Sequence, residues 1–192
     1  MRANMGNGAR GAQRGPVALR ASQAEYSPWG ALTMAHTGTM VNPFSDMTIV
    51  DYGDAPHDPL STMRTNEGVR AIVREITEVK RKDGSHVIPF IIGGDHSLAY
   101  PDIAAVTDVY GKGKVGVIHF DAHFDGTMAM GHLAGHGMWV RQLINEGFVP
   151  GKTIFKLDCE VIILMPEHSS GCVNRGFVIT PWLRLMTVAG IS

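Results

Sequence analysis

Residues 115–125, VGVIHFDAHFD, join an apolar run rich in β-branched side chains to a cluster of acids and histidine. The run has the composition of a buried strand, and Asp121, His123 and Asp125 follow at its carboxyl end. Ligand sites in open α/β sheets lie beyond the carboxyl ends of the strands. Carboxylate and imidazole together suit Mn²⁺ or Zn²⁺ better than Ca²⁺ or a thiophilic metal. The segment therefore predicts three metal ligands.

Residues 87–97, VIPFIIGGDHS, repeat this design, because an apolar run again ends in aspartate and histidine. Two glycines let the backbone turn tightly before Asp95 and His96. Taken alone, either ending is explained about equally well as a pair of metal ligands or as a polar strand terminus that caps a helix. Two such endings in one chain favour a metal site, with both sets of side chains directed into one crevice.

Three more histidines lie near these motifs. His119 is expected to alternate away from the Asp121 side of its strand and to pack in the core or support a ligand. His132 and His136 have the spacing of a zinc-binding helix, but the glycines of GHLAGHG oppose a helix and no glutamate follows the first histidine, as it does in HExxH. The sequence favours an exposed loop position for His132.

The elements that position the motifs alternate between strand and helix patterns. Strands are predicted near 47–52, 87–92 and 115–120, with helices over 66–82, about 97–110 and about 136–146. This alternation predicts a parallel sheet with helices on both faces, a three-layer α/β/α fold.

The helix over 66–82 has the clearest period, because its apolar residues recur every three or four positions. Thr65 or Asn66 is expected to cap its amino end, and the basic run 80–82 is expected to offset the helix dipole at its carboxyl end. The basic run is therefore interpreted as a helix terminus and not as a nucleic-acid patch.

Composition narrows the class of protein. The 192 residues carry a net charge of −1, which gives no reason to expect nucleic acid or an anionic membrane as a partner. Cys159 and Cys172 form no CxxC motif, which favours a reducing compartment. No apolar stretch approaches the roughly 20 residues of a membrane span, and the first residues lack the apolar core of a secretory signal. A cytoplasmic, globular protein is expected.

Two motifs carry a family resemblance. GGDHS at 93–97 and DAHFD at 121–125 resemble the first two signatures of the ureohydrolases, the arginases and agmatinases, which use two manganese ions to hydrolyse guanidino groups. Tyr100-Pro101, Gly126-Thr127 and His136-Gly137 resemble the agmatinase and guanidinobutyrase branch. The resemblance implies an arginase-like fold, a homo-oligomer, and a small guanidino substrate such as agmatine or guanidinobutyrate that is cleaved to urea and an amine.

The resemblance also implies roles for individual residues. Asp121 would bridge the two Mn²⁺ ions, His96 and Asp125 would complete the shell of one ion, and His123 would bind the other. His136 matches a family histidine that contacts substrate and helps to move protons. His136 is accordingly assigned to substrate binding and catalysis, and the ligand Asp125 is assigned to catalysis with it.

The family pattern is recognisable from about residue 8 to residue 150. GARGAQRGPVALRAS resembles the glycine-rich loop and helix that follow the first ureohydrolase strand, so the chain is expected to begin after that strand. Residues 1–150 are therefore predicted to form a partial ureohydrolase-like domain. Residues 151–192 are predicted to be a divergent tail, truncated or out of frame.

The third family signature, S-x-D-x-D-x-x-D-P, is not found in the sequence. The stretch Asp158-Cys159-Glu160 imitates its spacing but is expected to precede a strand. Two ions bring four positive charges while Asp121 and Asp125 return two, so the chain is expected to bind one Mn²⁺ more readily than two. The alternative is a non-catalytic remnant that binds metal weakly or serves as an interaction module. A single-zinc amide hydrolase of the histone-deacetylase kind fits the motifs poorly.

Overall fold

The computed structural model describes residues 11–26, 47–127, 135–158 and 178–181. The helices are α1 (Gly15–Tyr26), α2 (Thr62–Glu78), α3 (Ala99–Tyr110) and α4 (Trp139–Asn145), and the strands are β1 (Val117–Phe120), β2 (Ile154–Asp158) and β3 (Val178–Pro181). Short 3₁₀ helices span Ala12–Arg14, His96–Leu98 and Gly151–Thr153. Within these ranges, no helix has both the length and the apolarity needed to cross a membrane.

The three strands form one sheet in the order β1-β2-β3, and both pairs are parallel. Val117 lies beside Ile154, and Asp158 lies beside Pro181. The parallel arrangement confirms the expectation from the alternating pattern. The sheet also joins strands from both sides of residue 150, where the sequence suggested a boundary; the division at 150 itself stays a prediction.

Two of the predicted strands are absent from the described structure. The segments 47–52 and 87–92 have strand-like composition, yet neither is in a strand. Their apolar side chains are largely exposed, with Phe90 at 87% and Ile88 at 82%. A strand needs a neighbour to complete its ladder of hydrogen bonds, and composition alone does not supply one. The prediction of strands here was therefore wrong.

Helix α2 is confirmed as an amphipathic helix, but its ends differ from the prediction. Ser61 is the N-cap, where its hydroxyl accepts a hydrogen bond from the Arg64 N–H at 3.2 Å. Thr65 and Asn66 are instead buried within the helix. The helix ends at Glu78, so the basic run 80–82 lies beyond the last turn and does not offset the dipole from within it.

Helices α2, α3 and α4 pack side by side in sequence order, and α3 and α4 lie against one face of the sheet. Val69 and Val73 of α2 and Ala105 of α3 form one buried cluster with Ala55 and with Leu98 of the 3₁₀ helix before α3. A second cluster joins α3 and α4 to β1 and β2; its buried members are Ala104, Phe124, Trp139, Val140, Leu143, Phe148, Val149 and Ile154. Packing of this kind fixes the carboxyl end of β1 against the start of α4.

Among the described residues, alternation along the strands gives the sheet one covered and one exposed face. His119 and Lys156 are buried on the face that the helices cover, as is Ile154. Ile118, between Val117 and His119, is 66% exposed on the other face. The buried face therefore carries two ionisable side chains, which stand side by side in the register.

One half-buried acid predicts a pH dependence of stability. Asp102 lies in the first turn of α3, and burial raises the pKa of its carboxyl to about 6. The folded chain then holds this proton more tightly than the unfolded chain, whose aspartates titrate near 4, so stability falls as the pH rises from about 4 to 6. We expect the change in the free energy of unfolding caused by Asp102→Asn to be more favourable at pH 7 than at pH 4 by about 2 kcal/mol.

Urea denaturation of both proteins at the two pH values measures this difference. Asp108→Asn is the matched control. The hydrogen bond from Arg70 lowers the pKa of Asp108, so the ionised Asp108 stabilises the folded chain and the expected pH dependence has the opposite sign. That control should lose stability at pH 7. An Asp102→Asn effect that is the same at both pH values would contradict the prediction.

Candidate metal centre

The GGDHS segment turns directly into the 3₁₀ helix His96–Leu98, and Asp95 caps it. The Asp95 carboxylate accepts hydrogen bonds from the Ser97 N–H at 2.9 Å and the Ser97 hydroxyl at 2.5 Å. Asp95 thus follows the capping alternative, while its neighbour His96 is turned toward the end of β1. The local turn is what brings the imidazole to the acids.

The carboxylate of Asp121 is fixed immediately after β1 ends. The His123 N–H donates to Asp121 Oδ1 at 2.7 Å, closing the turn. The backbone carbonyl of Asp121 accepts a hydrogen bond from the Lys156 ammonium on β2. Both bonds hold this residue in place without using its Oδ2 atom.

Four side chains converge at this edge of the sheet. His96, His119, Asp121 and Asp125 each offer one ligand atom, and these atoms all lie within 4.8 Å of one another. His96 Nδ1 is 2.6 Å from Asp125 Oδ2 and 3.0 Å from Asp121 Oδ2. His119 Nε2 is 3.3 Å from Asp121 Oδ2 and 3.9 Å from Asp125 Oδ2. Two nitrogens and two carboxylates therefore point into one small volume.

This geometry fits a divalent ion. Ligand atoms about 2.1 Å from one ion, at tetrahedral or octahedral angles, lie about 3.0 to 3.4 Å apart. The four contacts above bracket that spacing. The donor set of two imidazoles and two carboxylates suits Mn²⁺ or Zn²⁺. The residues present therefore fit the metal that the family resemblance implies.

The two cluster histidines differ in their proton affinity. Burial lowers the pKa of His119, and the nearby Lys156 ammonium lowers it further, which favours the neutral imidazole that binds metal. Burial also acts to lower the pKa of His96, but the hydrogen bond to Asp125 and the charges of the aspartates outweigh it and raise that pKa. Metal binding at His96 therefore competes with protonation more strongly than it would at an unperturbed histidine.

Asp125 is positioned by the start of α4. The Trp139 indole N–H donates to Asp125 Oδ2 at 2.9 Å, and the Val140 N–H donates to the Asp125 carbonyl at 3.2 Å. Trp139 is 2% exposed and also stacks edge-on against His119, with ring centroids 4.8 Å apart. The backbone of Asp125 has a φ of 52°, in the left-handed region that residues other than glycine seldom adopt. The start of α4 thus holds both the Asp125 carboxylate, through the Trp139 indole, and its unusual backbone, through the Val140 N–H.

His136 lies in the turn before α4, next to the cluster. Thr127 donates to the Gly137 carbonyl from its N–H at 3.0 Å and from its hydroxyl at 2.6 Å. A β-carbon placed on Gly137 would lie 3.9 Å from Asp125 Oδ1. Gly137, the neighbour of His136, therefore lies close to Asp125, and the role of His136 in substrate binding stays a prediction. His132 lies outside the described residues.

The side chains of His119 and His123 lie in positions different from those expected. His119 faces the acids, so the statement that it alternates away from the Asp121 side was wrong: residues two apart share one side of an extended strand. His123 follows the strand end, where alternation no longer applies, and its side chain is 86% exposed with Nδ1 3.4 Å from Asp121 Oδ1. Its role as a ligand stays a prediction.

We expect these two histidines to contribute unequally to metal binding. His119→Ala should weaken the affinity for the first Mn²⁺ about tenfold or more, since a buried ligand or ligand support is lost. His123→Ala should change that affinity by less than about threefold, because an exposed side chain adds little to a site formed by the other four. Isothermal titration with Mn²⁺ compares them, and a larger loss in His123→Ala would contradict the prediction.

Near the cluster, one residue lies in a different position from the one predicted, and another was not recognised from the sequence. Asp158 ends β2 and does not precede a strand, so it stands at the same sheet edge as Asp121. Lys156 was missed; the available signal was a single lysine at an inward position of the apolar run IFKL. A charged residue at such a position indicates a partner inside the fold.

Comparisons with known proteins agree on one family. The Arginase family model matches residues 3–159. Mitochondrial agmatinase of Gallus gallus is 30% identical over 176 residues, which cover 89% of this chain and 46% of that protein. Guanidinobutyrase of Pseudomonas aeruginosa is 28% identical over 168 residues, covering 87% of this chain and 46% of that protein. The chain spans about half the length of the curated relatives it matches.

Solved structures show the same fold. Formimidoylglutamase from Bacillus subtilis superposes with a TM-score of 0.78 at 18% identity, covering 99% of this chain and 55% of that one. Formiminoglutamase from Trypanosoma cruzi, solved with Mn²⁺, has a TM-score of 0.75 at 23% identity, covering 95% and 56%. These likenesses confirm the predicted three-layer α/β/α fold with a parallel sheet.

Proposed function

The chain belongs to the arginase family, and we propose that it acts as a manganese-dependent amidinohydrolase, which cleaves a small guanidino compound to urea and an amine. The observation that carries this proposal is the convergence of His96, His119, Asp121 and Asp125 at one sheet edge. Relatives named agmatinase and guanidinobutyrase favour agmatine or guanidinobutyrate as the substrate.

The roles of the residues follow from their chemistry. His96, Asp121 and Asp125 would hold a Mn²⁺ ion, with neutral His119 completing or supporting the set. When bound, such an ion would supply Lewis acidity and lower the pKa of a water molecule, which is the chemistry that hydrolysis of a guanidino group requires. Trp139 covers one side of the cluster and limits access of bulk water, which strengthens the electrostatic interactions within it.

His136 is proposed to serve the leaving group. Cleavage of the C–N bond releases an amine that needs a proton, while the attacking water loses one. An imidazole beside the cluster could transfer protons, and the position of Gly137 close to Asp125 supports this place for its neighbour His136. The reaction is then balanced: one water is consumed, and urea and the amine are formed.

A non-catalytic metal-binding remnant is the second candidate. The exposed His123 favours it, as does the presence of only two carboxylates in the cluster among the described residues. A guanidinium substrate adds a further positive charge that needs its own acid. We therefore propose that urea release by this chain is slow in comparison with full-length relatives.

Urea release from agmatine and from guanidinobutyrate, with saturating Mn²⁺ and after chelation, tests the proposal. Manganese-dependent urea from either substrate supports the hydrolase. Manganese binding without urea from either would support the remnant. If the chain neither binds manganese nor releases urea, the metal site itself is refuted.

A further inference from the structure

Lys156 is a charged residue of the site that the proposed reaction does not use. It lies in β2 directly beside His119 of β1, and its side chain is 0% exposed. Burying an ammonium is costly unless hydrogen bonds and nearby negative charge compensate it. Its Nζ donates to the backbone carbonyl of Asp121 at 2.5 Å. The fold therefore keeps a positive charge at the base of the acid cluster.

The charge of this lysine acts on the cluster. The ammonium contributes, after burial, to the lowered pKa of His119, so that imidazole lies within its electrostatic reach. Interactions between buried charges are screened little by salt or solvent. Any cation held by His119 and the acids would experience the same repulsion, while the aspartate carboxylates would be partly neutralised.

Counting charges leads to a specific consequence. Asp121 and Asp125 contribute two negative charges and Lys156 returns one, which leaves a net charge of minus one before metal binds. One divalent ion brings the site to plus one, and a second would bring it to plus three. We propose that Lys156 is a charge-balancing residue that limits the cluster to a single divalent ion. This inference rests on the proposed metal site.

Lys156 is a positioning residue in this proposal, because it acts through Asp121 and His119 and not on substrate. A structural role alone would predict that its replacement lowers stability and leaves metal affinity unchanged or weaker. Charge balancing predicts the opposite direction: removal of the ammonium strengthens metal binding. The sign of the change in affinity therefore separates the two roles.

The test uses the full chain and Mn²⁺ alone, with Lys156→Gln and Lys156→Met as neutral variants of similar length. Isothermal titration gives affinity and stoichiometry, and electron paramagnetic resonance distinguishes a single ion from a spin-coupled pair. We expect one ion per unmutated chain. In the variants we expect first-ion binding at least about tenfold tighter, and a measurable second site. Lys152→Gln is the matched control, because Lys152 is exposed before the opposite end of β2.

Each result decides the proposal. Two ions bound by the unmutated chain overturn it and leave the proposed function intact, as does unchanged affinity in both folded variants. Absence of Mn²⁺ binding in the unmutated chain refutes the metal site and this inference together. Near-UV circular dichroism reports whether the variants fold, and two ions bound by the unmutated chain overturn the proposal whether or not they do.

Discussion

Replacing Asp121 with alanine is expected to abolish manganese binding and, with it, any urea release. Its Oδ2 atom lies 3.0 Å from His96 Nδ1 and 3.3 Å from His119 Nε2, so both imidazoles lose one of their two carboxylate neighbours. Removing one of two carboxylates beside the buried Lys156 also brings the charge of the empty cluster from minus one to zero. We expect at least about a 100-fold loss of Mn²⁺ affinity, equivalent to about 2.7 kcal/mol.

Titration with Mn²⁺ and a urea assay measure this effect on the folded variant. Asp83→Ala is the control for the loss of a carboxylate outside the cluster, because Asp83 is exposed in a turn and accepts a hydrogen bond from the Ser85 N–H. Asp121→Asn separates charge from shape, since the amide keeps the size of the side chain and still accepts the His123 N–H. Robust turnover by Asp121→Ala would mean that the acids of the reaction lie elsewhere, in the tail or in a partner chain.

The second large effect is expected at Trp139, which serves both the core and the metal centre. Trp139→Ala should lower the free energy of unfolding by about 3 to 5 kcal/mol, because a large side chain that is 2% exposed leaves a cavity. Trp139→Phe keeps most of the volume but removes the N–H that donates to Asp125 Oδ2. It should cost about 1 to 2 kcal/mol of stability and about tenfold in Mn²⁺ affinity.

Chemical denaturation in the presence of a chelator measures the stability of both variants without bound metal. Phe90→Ala is the aromatic control, because Phe90 is 87% exposed and its loss should change stability by less than about 0.5 kcal/mol. If Trp139→Phe binds Mn²⁺ as tightly as the unmutated chain, the indole hydrogen bond does not position Asp125.

Helices were predicted more accurately than strands, and the reason is the range of the hydrogen bonds involved. The prediction of a helix at about 97–110 lies close to α3, because its bonds join residues four apart and the sequence period reports them directly. The capping residue Ser61 was missed because several polar residues compete near that end. The segment 87–92 has the composition of a strand, but pairing depends on a partner distant in sequence.

The candidate site was predictable where motif and strand end coincide. His96, Asp121 and Asp125 were each expected at a strand terminus, and the structure brings them together. His119 was assigned to the wrong side through an error of alternation that correct counting along β1 would have avoided. Lys156 could not have been placed beside His119 from sequence, because the register between β1 and β2 is set by packing across the sheet.

The left-handed backbone of Asp125 narrows the ways in which this site can change by mutation. At a φ of 52°, a β-branched or bulky side chain is strongly disfavoured, whereas asparagine and glycine are tolerated. Most single replacements at position 125 would therefore disturb the fold as well as the chemistry. Asparagine alone keeps the backbone and nearly the same shape while discarding the charge. A lineage that abandons catalysis but retains this scaffold would be expected to pass through asparagine here.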